Sequence, residues 1–198
     1  MPSKYVLTHL EKDRYYHIYN RGNNGEKLFY IPENYLLFMN LYEHYLGPYV
    51  ETFAFCLMPN HFHFLIRVKC DNEVDRFESI SNQFRKMFIK YALFINRQEN
   101  RTGSLFSKCF KRIEVDNLEY LKRLVAYIHL NPLKHGIDYD FQNYKFSSYK
   151  LIRKEINHLI SIHKVYSWFN GKKELFEYHR DFHEEKSLFV QIIEHGPD

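Results

Sequence analysis

Two histidines stand at positions i and i+2 in the run His61-Phe62-His63-Phe64-Leu65-Ile66-Arg67-Val68. If that run is a strand, alternation sends His61, His63, Leu65 and Arg67 to one face and Phe62, Phe64, Ile66 and Val68 to the other. Two imidazoles so placed can bind one divalent ion and leave coordination positions open, and an open metal site polarises a phosphate oxygen. The plainer reading is a structural pair, since the chain has 12 histidines. Polar side chains set among apolar ones in an inner strand nevertheless need a partner. Tyr127 and Asn131 form a second pair. At i and i+4 on one helix they project side by side, so a phenol able to attack phosphorus would lie next to an amide oxygen able to complete a metal's coordination. With 17 tyrosines in the chain, the competing reading is that Tyr127 packs and Asn131 ends the helix, because a residue before proline is pushed out of the α region.

These side chains need a scaffold. Residues 14–21 (RYYHIYNR) are rich in β-formers and run into Gly22-Asn23-Asn24-Gly25, which reads as a strand and a loop. After Pro32, Tyr35, Phe38, Met39, Tyr42, Tyr45 and Leu46 recur at helical spacing until Gly47-Pro48. Residues 51–58 alternate with Phe53, Phe55 and Leu57 on one face, and Pro59-Asn60 joins them to the histidine strand as an antiparallel pair. Phe77, Ile80, Phe84, Met87, Phe88, Tyr91 and Ile95 mark a long amphipathic helix ending before Gly103. A fourth strand fits residues 108–115. Asp116 with Glu119 forms a capping box for a further helix that ends near Pro132. Its apolar stripe is Leu118, Leu121, Val125 and Ile128, with Tyr120, Leu124, Tyr127 and Asn131 beside it. The order β-α-β-β-α-β plus a helix predicts an α+β, ferredoxin-like sheet with its two helices on one face, then the tyrosine-bearing helix. Beyond Gly136 the chain offers a loop, a helix around residues 149–168 and another over 172–186.

The 198 residues, 45% of them apolar, supply one core and a small appendage. Cys56, Cys70 and Cys109 lie far apart with no CxxC pair, which argues against a zinc knuckle and a secreted disulfide framework and points to a reducing cytosol. No apolar h-region opens the chain and no long uncharged apolar run interrupts it, so a cytoplasmic protein with no membrane partner is expected. A net charge of +4 decides little. Its distribution says more: residues 85–112 hold eight basic residues against one acid, Glu99, whereas acids outnumber bases seven to four over 171–198. Arg85, Lys86, Lys90, Lys108, Lys111 and Arg112 are therefore candidate phosphate contacts, or equally a solvated helix face and loop. Phe84, Phe88, Tyr91 and Phe110, interleaved there, could stack on bases, though their spacing favours the core.

Met58-Pro59-Asn60-His61-Phe62-His63-Phe64-Leu65 resembles the His-hydrophobic-His (HUH) motif of the single-tyrosine insertion-sequence (IS200-like) transposases. Tyr127-Ile128-His129-Leu130-Asn131-Pro132-Leu133-Lys134-His135-Gly136 resembles the segment that bears their nucleophile. With Asn20-Arg21-Gly22-Asn23-Asn24 early and Phe146-Ser147-Ser148-Tyr149 late, the combination is most similar to the REP-associated tyrosine transposase branch, over about residues 15–149. That resemblance implies a catalytic domain over 1–136 with an extension, 137–198, packing on it. It implies a metal-dependent DNA endonuclease and strand transferase that acts on single-stranded DNA next to a hairpin through a 5′-phosphotyrosine. Tyr127 would be the nucleophile, and His61, His63 and Asn131 would hold Mg²⁺ or Mn²⁺. Asn131 stands where the mobile relatives carry glutamine and agrees with the domesticated branch. DNA contacts would come from Arg21, Asn23 and the basic stretch. The relatives imply a monomer or a homodimer, and the short connection near Asp116 points to a helix that returns onto its own sheet. The chief alternative is a non-catalytic ferredoxin-like nucleic-acid-binding module that uses an exposed sheet face. A metallohydrolase with two histidines and water would need a carboxylate-rich pocket, which the sequence does not locate.

Overall fold

The computed structural model describes residues 9–69, 79–107, 109–156 and 158–182. Cys70, Phe77, Lys108 and the run from 183 onward lie outside the described residues. The elements are β1 (Tyr15–Arg21), α1 (Pro32–Leu46), β2 (Val50–Met58), β3 (His61–Val68), α2 (Ile80–Gln98), β4 (Lys111–Val115), α3 (Leu118–Lys134), α4 (Tyr149–Arg153), α5 (Ile162–Trp168) and α6 (Lys172–Phe182). The strands form one antiparallel sheet in the order β2-β3-β1-β4. This is the ferredoxin-like α+β arrangement the element order predicts.

Ile18, Phe62 and Phe64 are fully buried on one sheet face beneath α1 and α2. Phe38 of α1 meets Phe62 with ring centroids 5.1 Å apart, and Tyr42 stacks on Phe64 at 4.4 Å. Burying one such ring is worth about 1.5–3 kcal/mol, so the phenylalanines of β3 decide which face takes the two helices and leave the histidines on the other.

That other face is not open. His17, His63 and Leu65 are buried, because α3 returns across β2 and β3 of its own sheet. The free edge of β2 is covered as well: Ser147 bridges to Cys56 and Ile160 to Thr52, and across it Leu57 N donates to Phe146 O and Ser161 N to Thr52 O, each at 2.9 Å. Covering an edge strand withdraws its unpaired backbone groups from other partners. Residues 52–58 are accordingly buried on both faces and do not show the alternating exposure of a half-buried strand.

Several local expectations are corrected. A bulge between Thr52 and Ala54 inserts Phe53, which turns it toward Tyr15 (5.4 Å) and Trp168 (4.9 Å) while Phe55 stays with Phe64 (5.8 Å). The cap of α3 is Asn117, not Asp116: its Oδ1 accepts from Tyr120 N at 2.8 Å. Leu118 is 47% exposed and leaves the apolar stripe. Helix α3 runs through Pro132 to Lys134, since the proline removes only one donor near the end and Asn131 Nδ2 adds a bond to Tyr127 O at 2.8 Å. It stops at Gly136, whose φ of 64° suits a helix terminator. The helix expected over 149–168 is two short ones, broken after Lys154 where Glu155 takes a left-handed φ of 57°.

Candidate active site

His61 opens β3 just after the Pro59-Asn60 turn, and the loop after β1 fixes that turn. Pro59 O accepts from Leu28 N and Phe29 N at 2.7 and 3.0 Å, and Asn60 O accepts from Gly22 N at 2.7 Å. Gly22 is required by this fold-back, since a Cβ there would sit 1.9 Å from Glu26 O. His61 Nδ1 donates to Asn60 Oδ1 at 2.7 Å, and His63 Nδ1 pairs with His17 Nε2 at 2.8 Å. Both histidines thus use Nδ1 for protein contacts, which leaves Nε2 as the nitrogen through which each could hold an ion. Their rings stand 5.3 Å apart at 88°.

Helix α3 brings Tyr127 to the same place. Its ring meets His63 edge to face at 5.5 Å and His17 at 6.3 Å. Asn131, one turn on, is fully buried and its Oδ1 makes no hydrogen bond. Lys134, exposed, carries its Nζ 5.3 Å from the centre of the Tyr127 ring. His135 packs its ring 4.7 Å from His61.

Burial holds both histidines neutral. It pushes His61 down to about 3, with the charges of His135, Lys134 and Arg21 acting in the same direction and the neighbouring Asn131 amide against them. His63 is driven well below its ordinary value, chiefly by burial and then by His17 and His61. A neutral imidazole keeps the lone pair a metal needs. Among the described residues no group of three or more His, Cys, Asp or Glu side chains could hold an ion, so a metal here would take neutral donors: two imidazoles and the Asn131 amide oxygen. The buried, unbonded Oδ1 fits that role. An acceptor left without a partner costs about 1–3 kcal/mol, and a hard divalent ion such as Mg²⁺ or Mn²⁺ takes carbonyl oxygen readily.

The basic residues divide between the two faces of the sheet. Arg21, exposed, pairs in register with His61. Lys111 pairs with Tyr19, its Nζ 5.6 Å from that ring, and so shares the histidine face. Asn23, half-buried, is held in the loop by a bond from its N to Leu105 O at 2.9 Å. Arg112 points to the other face, toward Ser81 of α2 and the Phe110 ring. Arg85, Lys86 and Lys90 ride on α2, across the sheet from Tyr127. Phe84 and Tyr91 are buried in the core, and Phe88 and Phe110 pack against it. Sequence reasoning missed His17, Asn60, Lys134 and His135. Alternation in β1 carries the signal for His17, which shares a face with Tyr15, Tyr19 and Arg21; for Lys134 the signal is its position two turns from Tyr127.

Fold and site together define a class: an antiparallel ferredoxin-like sheet whose paired-histidine face is covered by a helix bearing a tyrosine. No family model matches the chain. A Haemophilus influenzae strain Rd protein, provisionally named a REP-associated tyrosine transposase, is 30% identical over 111 residues, 54% of this chain. The match spans 61% of that relative's length. A solved structure of a REP-associated tyrosine transposase bound to a REP hairpin superimposes with a TM-score of 0.60 at 18% identity, over 81% of this chain and 90% of that one. The resemblance to the REP-associated tyrosine transposases, read from the two motifs, is borne out. Among the described residues no helix is long and apolar enough to cross a membrane.

Proposed function

We propose that this protein nicks and rejoins single-stranded DNA beside a hairpin, through a covalent bond between Tyr127 and a 5′-phosphate, with Mg²⁺ or Mn²⁺ bound at His61, His63 and Asn131. The observation that carries the reading is the meeting of Tyr127, the paired imidazoles and the unbonded Asn131 oxygen in one place. The relative's bound REP hairpin supports a hairpin as substrate.

The chemistry follows from the needs of a phosphodiester, whose charge repels nucleophiles. A divalent ion, when bound, withdraws charge from a nonbridging oxygen. Tyr127 attacks phosphorus in line: the Tyr Oη–P bond forms, the P–O3′ bond breaks, and the phenolic proton is transferred to the departing 3′ oxygen through water. The phosphotyrosine keeps the bond energy, so a 3′-hydroxyl can attack it and regenerate the phenol. Lys134 places a positive charge 5.3 Å from the centre of the Tyr127 ring, which favours loss of the phenolic proton. Arg21 and Lys111 attract the DNA backbone, while His63 and Leu65 stay buried under α3. A binding module with an open aromatic platform is less well supported, because α3 covers the face such a platform would use.

The test is incubation with Mn²⁺ and a 3′-labelled single-stranded hairpin, followed by denaturing electrophoresis. The reading expects a labelled protein adduct that Tyr127→Phe abolishes. Hairpin binding with no adduct would leave a binding module, and cleavage with no adduct would indicate attack by water.

A further inference from the structure

His17 lies in the middle of β1, fully buried, and neither motif contains it. Its ring lies nearly parallel to those of Tyr19 at 4.6 Å and His63 at 5.0 Å, the three grouped together, with Tyr127 edge-on. Its Nε2 bonds His63 Nδ1 at 2.8 Å, and its own Nδ1 has no hydrogen-bond partner. A buried imidazole with one nitrogen unbonded costs free energy that an apolar side chain here would avoid, and its other nitrogen is the partner of His63 Nδ1, so the imidazole at this position calls for a role.

Counting protons supplies one. Each neutral ring has a single N–H, and one proton occupies the His17 Nε2···His63 Nδ1 contact. If His17 supplies it, the other proton of the pair sits on His63 Nε2 and that nitrogen has no lone pair to offer. If His63 supplies it, His63 Nε2 is a free donor to an ion and the His17 proton moves to the unbonded Nδ1. Only the second arrangement is compatible with a metal at His63.

We infer that His17 is a positioning residue for His63: it accepts the His63 Nδ1 proton, fixes the plane of that ring and holds the tautomer whose Nε2 faces the ion. The inference rests on the metal-binding reading above and deepens it. Partners of this kind typically govern metal affinity 10- to 100-fold.

The experiment is titration of Mn²⁺ by calorimetry into the wild type, His17→Phe and His17→Gln, with a melting curve of each without metal. Glutamine can offer an acceptor oxygen near the place of the His17 Nε2. His17→Phe should bind Mn²⁺ about 10- to 100-fold more weakly while still unfolding cooperatively without metal, and His17→Gln should recover most of the affinity. Wild-type affinity in His17→Phe, or equal loss in both variants with equal loss of melting temperature, would overturn the inference and leave a packing role. Should His17→Phe fail to fold, imidazole ¹⁵N spectra of the wild type with Mg²⁺ decide: His63 must carry its proton on Nδ1, and a bare Nδ1 overturns the inference. A wild type that binds no Mn²⁺ defeats the metal reading itself, and this inference with it.

Discussion

The Tyr127 ring stands edge to face on the His63 ring, centroids 5.5 Å apart and planes at 86°. The contact joins the end of the chain's ferredoxin-like pattern to its central strand. It exists because β3 buries its phenylalanines under α1 and α2, which turns its histidines toward the face that α3 then covers. On α3 the spacing of Tyr127, Asn131 and Lys134, at i, i+4 and i+7, sets phenol, amide and ammonium along one side of the helix.

Asn131 separates function from stability. Its Oδ1 is buried without a bond, and its Nδ2 gives Tyr127 O a second donor. Asn131→Ala removes an unsatisfied acceptor, so its unfolding free energy without metal, from urea titration, should shift by no more than about 1 kcal/mol in either direction. Its adduct yield with Mn²⁺ should fall at least about tenfold, as expected on losing a metal ligand or its support. A variant that loses stability but keeps its yield would make Asn131 a purely structural residue.

The two basic faces should differ in DNA binding. Lys134→Ala and Lys111→Ala, on the histidine face, should each weaken hairpin binding and reduce the slope of log K against log salt by about 1. Arg85→Ala and Lys90→Ala, on α2, should leave the slope unchanged. Salt titrations by fluorescence anisotropy measure this, and the reverse ranking would move the DNA to the α2 side.

How much of this was legible in the sequence depends on the range of the forces. The sheet order and the phenylalanine face follow from periodicity, because burial acts on every second or every third to fourth residue; the placing of Tyr127 beside the histidines was implied by the motif resemblance alone. The bulge at Phe53 was not legible, since it answers to Tyr15 and Trp168, which are distant in sequence. Nor was the break after Lys154, where pairing of Ile160 with Thr52 outweighs local helix propensity. His17 needed the register of β1 against β3 before it could be tied to His63. The basic stretch over 85–112 read as one surface, but its members straddle the sheet, because alternation sends Lys111 and Arg112 to opposite faces.

Acid should destabilise the fold through its buried histidines. Burial lowers His17 and His61 to about 3 and His179 to about 4. Below about 6.5 these groups are protonated in the unfolded chain but not in the folded one, so the unfolded state binds more protons and stability falls with pH. The loss runs from about pH 6.5 down to about 3 to 4 and amounts to a few kcal/mol for each such group. Urea midpoints at pH 7, 6 and 5 should decline steadily; a flat profile would contradict the neutral buried imidazoles.

Ser148, His129 and His179 hold the later segments to α3. His179 Nδ1 donates to Leu175 O at 2.7 Å, so its Nε2 accepts from His129 Nδ1 at 2.8 Å, and His129 Nε2 accepts from the Ser148 hydroxyl at 2.7 Å. Ser148 Oγ also accepts from Phe55 N at 2.8 Å. Ser148→Ala leaves two buried groups without partners and should cost about 1–3 kcal/mol in a urea unfolding experiment. No change in midpoint would show that water or repacking replaces the hydroxyl.

The central claim concerns one oxygen atom, and the most direct measurement is to locate the covalent bond. Protein incubated with Mn²⁺ and single-stranded hairpin DNA would be digested with trypsin and nuclease, and the nucleotide-bearing peptide sequenced by mass spectrometry. The account predicts a 5′-nucleotide on Tyr127. A nucleotide on Tyr19, whose ring lies 5.6 Å from His63, or on any other residue, would contradict it.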